Sequence, residues 1–194
     1  MSEFPFIFTR RLSLREPSLG DVEEFHKLLS LWEVSRFSNW PDDPTPVQSE
    51  RAVKRMCRSF AKGTGCAWII EERASRSLLG AIRFNNIDKY CRWAEIGYEL
   101  HPSHWGLGLM TEAVSAVAQC GFRKFGLNRI EAWTLEGNLA SDRVLKKAGF
   151  RYEGTLRQKA WFKNRFHDFR MFGRLSGDDT DTSVGTPELC PRTE

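Results

Sequence analysis

Leu100–Ala113 reads LHPSHWGLGLMTEA, and its reading decides the fold. An alternating segment, Arg92–Leu100, ends where it begins, glycines follow at 106 and 108, and a helical pattern opens at about Leu109. Met110, Ala113, Val114, Val117, Ala118, Gly121, Phe122 and Phe125 then line one side of that helix, and Gly126 stops it. Glycines in a strand–loop–helix unit let the main chain approach a ligand and aim successive N–H groups at it. The first helical turn adds unpaired donors and the positive end of the helix dipole. An exposed dipole contributes only about 0.3–1 kcal/mol, so several N–H bonds to charged oxygens must do most of the holding. Such a loop suits a pyrophosphate. Two common phosphate motifs are excluded: GxGxxG requires glycine where Thr111 stands, and no GK[ST] sequence is present.

Downstream, Arg129–Leu135 reads as a strand and leads into EGNLASDRVLKKAGF, residues 136–150. Asn138 stands at the strand exit, Ser141 opens a short helix over 140–148, and Gly149 closes it. The chain then turns into a hairpin, Phe150–Phe162 and Phe166–Leu175, with Lys163-Asn164-Arg165 near the turn. Upstream, Thr9–Arg15 reads as a strand with Leu12 and Leu14 on one face. Ser18 or Asp21 caps a helix whose stripe is Phe25, Leu28, Leu29 and Trp32. After a Pro- and Asp-rich loop, a second helix spans about 47–60. Strands Cys66–Glu71 and Leu78–Ile87 complete a meander with Arg92–Leu100. The order βααβββαβαββ predicts an α/β fold: a mixed, largely antiparallel sheet with helices on both faces.

The 194 residues suit one domain with a sizeable core. Residues 176–194 hold five acids against one arginine and almost no large apolar side chains, and they read as a disordered acidic tail beyond a domain of residues 1–175. The whole chain carries +4, so residues 1–175 carry +8. A basic body suits an anionic partner, either nucleic acid or a polyphosphate cofactor. No apolar run approaches the roughly 20 residues of a membrane span. The N-terminal MSEFPFIFTRRL lacks the features of a signal peptide, and the expected compartment is the cytoplasm. Five scattered cysteines without a CxxC pair argue against both zinc and a disulfide framework.

Taken together, HPSHWGLGLMTEA and NLASDRVLKKAGFRYEG resemble the GNAT acetyltransferases, in particular the branch that includes the RimJ and RimL ribosomal-protein N-acetyltransferases. TRRLSLREP near the start and HDFRMFGRL near the end fit the same branch, so the resemblance covers about Thr9–Leu175. It implies acetyl-CoA as co-substrate, no metal, and an amine acceptor that is a protein N-terminus or a small molecule. Gly106, Leu107, Gly108, Leu109 and Met110, with Trp105 beside them, would cradle the CoA pyrophosphate. Pantetheine would lie between strands 92–100 and 129–135, splayed apart, bonded to backbone near Leu100 and contacted by Asn138. Relatives begin the loop with Gln or Arg three positions before the first glycine; here that position is Ser103, which removes one phosphate partner.

Transfer to an amine requires the acceptor to be neutral when it attacks. At pH 7.5 that costs about 4 kcal/mol for a lysine and under about 1 kcal/mol for a peptide α-amine. A carboxylate acting through water would contribute about 10²–10⁴-fold. Glu95 matches the strand glutamate that serves as base in several relatives, and Glu99 is the reserve on the same face. Many relatives protonate the departing thiolate with a tyrosine, but Leu145 holds that position here. Ser141 resembles a serine that some RimL-like enzymes place beside the thiolate, and it equally suits a helix cap. Trp40 falls where the family builds its acceptor cleft.

Two further constellations have plainer readings. His101 and His104 lack a nearby third ligand and read as loop residues. RQKAWFKNRFHDFR, residues 157–170, interleaves basic and aromatic side chains as a nucleic-acid face does, but a hairpin with aromatics on one face and charges on the other accounts for it. The alternative function is an acyl-CoA-binding module that lost catalysis and contacts RNA or protein through this hairpin. A monomer and a homodimer are equally compatible with the sequence.

Overall fold

The computed structural model describes residues 3–178 and the backbone of 188–189. Nine strands form one sheet: β1 (Ile7–Phe8), β2 (Leu12–Arg15), β3 (Cys66–Glu72), β4 (Leu78–Asp88), β5 (Trp93–Leu100), β6 (Arg129–Thr134), β7 (Arg151–Phe162), β8 (Arg165–Leu175) and β9 (Glu188–Leu189). Their order is β7-β8-β6-β5-β4-β3-β2-β1-β9. The helices are α1 (Val22–Leu29), α2 (Trp32–Ser35), α3 (Pro46–Lys62), α4 (Leu109–Lys124) and α5 (Leu139–Lys147).

Strand alternation sends side chains to both faces of the sheet, and each face is covered. Trp68, Ile70, Ile82 and Phe84 pack with α4 and α5, while Ala67, Ile69 and Ala81 pack with α1 and α3. The mixed sheet with helices on both faces is therefore present. α4 sits close to the strands because residue 121 has no side chain: a Cβ there would stand 2.8 Å from the Phe84 ring and 3.0 Å from Ile130. α3 opens with a capping box, Thr45 with Gln48, and closes on Gly63 in the left-handed conformation.

Every junction is antiparallel except β5–β6, which is parallel. That pair registers only over Trp93–Glu95 with Arg129–Glu131. Beyond it the strands part, while β6 stays paired with β8 through Thr134. The main chain of β5 from Ile96 to Leu100 thus faces a gap on its β6 side. This splay positions the site.

The elements depart from the sequence expectation in small ways. Trp32 does not belong to the first helix, which ends at Leu29; Leu31 is extended, and Trp32 opens α2 with 57% of its surface exposed, covered on one side by the Arg36 guanidinium. β1 adds a two-residue strand that is too short for periodicity to reveal. The β7–β8 turn is Lys163-Asn164, both at positive φ, the geometry that matches a two-residue hairpin turn to strand twist. Most of the tail expected to be disordered lies outside the described residues. Asp178 reaches Arg151 at 3.1 Å, and Glu188–Leu189 pairs with β1. Cys57, Cys66, Cys91 and Cys120 are free thiols, and Cys190 lies outside the described residues. Among the described residues no helix is long and apolar enough to cross a membrane.

Candidate active site

Two clefts meet where β5 and β6 part. The first, about 360 Å³, is walled by the end of β5, the 104–110 loop with the start of α4, and the first turns of α5. The second, about 700 Å³, lies between α3, the loop around Trp40, strands β4–β6 and the β7–β8 hairpin. Trp40, Tyr98, Glu99, Asn138 and Ser141 line both. The two clefts join at these side chains.

The loop of the first cleft has the backbone that its glycines allow. Gly106 and Gly108 lie at φ +77° and +75°, and Gly108 is the N-cap of α4. Trp105, Gly106, Gly108, Leu109 and Met110 face the cleft, as does Leu100. Leu107 and Ser103 do not line it. Leu107 is exposed and gives its carbonyl to Arg11 Nη1 at 2.8 Å, while the Ser103 hydroxyl lies 2.7 and 2.9 Å from the Nδ1 atoms of His101 and His104. The Trp105 indole donates to the Leu100 carbonyl at 2.8 Å, tying the loop to the strand end.

Behind the loop is a clamp that the sequence reading missed. Glu112, buried in the first turn of α4, accepts from the Thr9 hydroxyl (2.5 Å), the Arg11 amide (3.0 Å) and Arg11 Nε (2.8 Å). Burial pushes its pKa up, but these hydrogen bonds and the Arg11 charge outweigh it and hold the carboxyl below its ordinary range. The lowered value means that the carboxylate stabilises the fold at neutral pH and ceases to do so as pH falls through the folded-state pKa. Glu112→Ala should cost about 1.5–3 kcal/mol, the worth of a hydrogen bond to a charged group. Thermal melts should show a drop of several degrees at pH 7 that shrinks in acid. An unchanged melting temperature would refute the clamp. An acidic residue in the first turn after a glycine loop was the available signal.

At the junction, Asn138 caps α5: its Oδ1 accepts from Ser141 N at 3.2 Å. No hydrogen bond among the described residues engages Nδ2, which leaves a donor for a ligand. Asn138→Ala should therefore lower stability by about 0.5–2 kcal/mol, as a lost cap does, and weaken CoA binding by about 0.5–1.5 kcal/mol. Melting and calorimetry together separate the two losses; a drop in stability alone would reduce Asn138 to a turn residue. The Ser141 Oγ lies 2.7 Å from the Tyr98 phenol. Its neighbour Asp142, buried, accepts from the Thr134 hydroxyl at 2.7 Å and from Arg170 at 3.0 Å, which fixes the first turn of α5 against β6 and β8. Leu145 is fully buried in the core. Tyr98 was not singled out from the sequence, where nothing local marks it beside its neighbours in AEIGYEL.

In the second cleft, both oxygens of buried Glu99 lie 2.7 Å from Arg83 Nη1. Glu95 is half-buried and accepts from Asn85 Nδ2 at 3.0 Å. The strand rise of about 3.3 Å per residue puts Glu95 about 10 Å down β5 from Tyr98, with Glu99 next to it. Trp40 packs on Phe25 with ring centres 6.1 Å apart, and the Arg83 guanidinium lies 5.5 Å from its ring. Trp133, stacked on Phe169 at 4.1 Å, forms part of the floor. No group of three metal-binding side chains occurs among the described residues.

Comparison with known proteins agrees with this architecture. The family model described as an acetyltransferase (GNAT) domain matches residues 11–151. An uncharacterized N-acetyltransferase of Bacillus subtilis (strain 168), YoaA, is 34% identical over 169 residues, 87% of this chain and 96% of the relative. The ribosomal-protein-serine acetyltransferase of Escherichia coli (strain K12) is 29% identical over 139 residues, 71% of this chain and 76% of the relative. RimL, a ribosomal L7/L12 alpha-N-protein acetyltransferase solved in complex with coenzyme A, shares the fold with a TM-score of 0.79 at 23% identity, over 88% of this chain and 97% of that one. The chain, with its parted strands and glycine-loop helix, belongs to the GNAT acetyltransferase family.

Proposed function

We propose that the protein transfers the acetyl group of acetyl-CoA to a primary amine by direct attack on the thioester. The observation that carries this reading is the meeting of two clefts at Tyr98, Asn138 and Ser141, beside main chain of β5 that has no β6 partner. The glycine loop and the start of α4 would hold the pyrophosphate through N–H groups of residues 106–110. The free edge of β5 near Leu100 would hold pantetheine, and the Asn138 amide would reach the same arm. The amine would enter from the second cleft past Trp40. Glu95 would take its proton through water, while Glu99, engaged by Arg83, is the second carboxylate within reach. Much of the rate then comes from positioning.

The charge of the second cleft favours an α-amine over a polyamine as acceptor. Glu99 is paired with Arg83, so the open charges on the lining are Glu95 against Arg51 and Arg55, neither of which has an ion-pair partner among the described residues. Like charges about 4 Å apart cost about 1 kcal/mol in water and about 4 kcal/mol at an effective dielectric of 20. A peptide N-terminus, about half neutral near pH 8, can enter uncharged and so escape that cost. The test is release of free thiol from acetyl-CoA with a panel of peptides, amino acids and polyamines. Turnover with α-amines above polyamines supports the reading. Acetyl-CoA binding without thiol release for any amine would favour the binding-module alternative.

A further inference from the structure

We infer that Tyr98 is a positioning residue for the departing thiolate: it donates its phenolic hydrogen to Ser141 Oγ and so directs the Ser141 hydroxyl hydrogen into the acetyl-CoA cleft. This rests on the acetyl-transfer reading above. The two oxygens are 2.7 Å apart, on elements 43 residues distant in sequence, and both side chains line both clefts. Geometry alone leaves the donor open, and the relative acidity of the two hydroxyls points to Tyr98. Ser141 Oγ is the phenol's only hydrogen-bonding partner among the described residues. A phenol is more acidic than an alkyl hydroxyl and so the stronger donor, while the Ser141 oxygen is the better acceptor. With Tyr98 as donor, the oxygen of Ser141 is occupied and its own hydrogen is free to turn towards the cleft.

The phenol is a fixed donor, because burial pushes the Tyr98 pKa well above its usual value and the bond to Ser141 does not offset that. It does not pass its proton on. In the transfer step the amine nitrogen bonds to the acetyl carbon, the carbon–sulfur bond breaks, and sulfur leaves with the electron pair as thiolate. The amine proton passes to the base or water. The thiolate accepts the Ser141 hydrogen bond while it forms and takes its proton from water. Ser141 is held for this by the Asn138 cap on its N–H and by the anchoring of Asp142 to Thr134 and Arg170. The arrangement places a hydrogen-bond donor where Leu145 offers none.

A two-residue mutant cycle tests it. Ser141→Ala should lower kcat by about 10–100-fold, the loss expected for one hydrogen bond to a developing charge, with KM for acetyl-CoA little changed. Tyr98→Phe removes a single oxygen and should lower kcat in the same way without a matching loss of melting temperature. The double variant should be no slower than Ser141→Ala, since the phenol acts only through that hydroxyl. Losses that multiply would overturn the coupling. A Tyr98→Phe enzyme with normal kcat and a lower melting temperature would make the contact merely structural. Wild-type protein that binds acetyl-CoA but releases no thiol would instead defeat the parent reading.

Discussion

Gly108→Val should weaken CoA binding by about 100-fold or more in calorimetry while the far-ultraviolet spectrum stays native. Residue 108 sits at φ +75° and ψ 5° as the N-cap of α4. A β-branched side chain is a strong outlier there, so the backbone must leave that conformation. Space is a secondary matter: a Cβ at 108 would meet only the Arg11 guanidinium, at 3.6 Å. The damage comes from turning the N–H groups of the loop and first helical turn away from one another. Each such bond to a phosphate oxygen is worth about 1.5–3 kcal/mol, and losing the aim of two accounts for the expected fall. Gly108→Ala should fall between, since alanine bears a left-handed φ at lower cost than valine. Unchanged affinity in the valine variant would show that the loop does not bind the pyrophosphate.

Glu95→Gln should lower kcat by about 10²–10⁴-fold with little change in acetyl-CoA affinity, if its carboxylate takes the amine proton through water. The substitution keeps the size, and its amide oxygen can still accept from Asn85 Nδ2, so the melting temperature should hold. Raising the pH should partly restore the rate, because more acceptor is then neutral unaided. A peptide α-amine should lose less than a lysine-like amine for the same reason. Glu99→Gln is the contrasting variant. It leaves the Arg83 guanidinium, only 15% exposed, without its charge partner, so a stability loss should accompany any loss of rate. The measurement is kcat/KM against pH for the three enzymes. A crippled Glu99→Gln beside a near-normal Glu95→Gln would move the role to Glu99. If both are normal, positioning of an already neutral amine carries the reaction.

Much of the candidate site is legible in the sequence. The glycine loop, the start of α4 at Leu109, Asn138 at the exit of β6 and Ser141 in the next helix are local features, each declared by a glycine, a cap or a period within one element. The same reasoning failed at Trp32, where a hydrophobic residue at helical spacing followed a helix that had already ended. It also missed Glu112 and Tyr98. Their partners lie 103 and 43 residues away, and no spacing rule connects such positions.

The sequence by itself determined the elements and their order, because turn chemistry and side-chain period act within a few residues of one another. It also carried the family, through motifs that are contiguous in the chain. The tertiary structure alone decided where β5 and β6 stop pairing, that Arg83 occupies Glu99 while Asn85 holds Glu95, and that Arg11 and Glu112 brace the loop. It alone brought the Tyr98 phenol against Ser141. These depend on strand register and on which faces meet when the sheet closes over its helices, and a one-residue change in register would send each of those strand side chains to the opposite face.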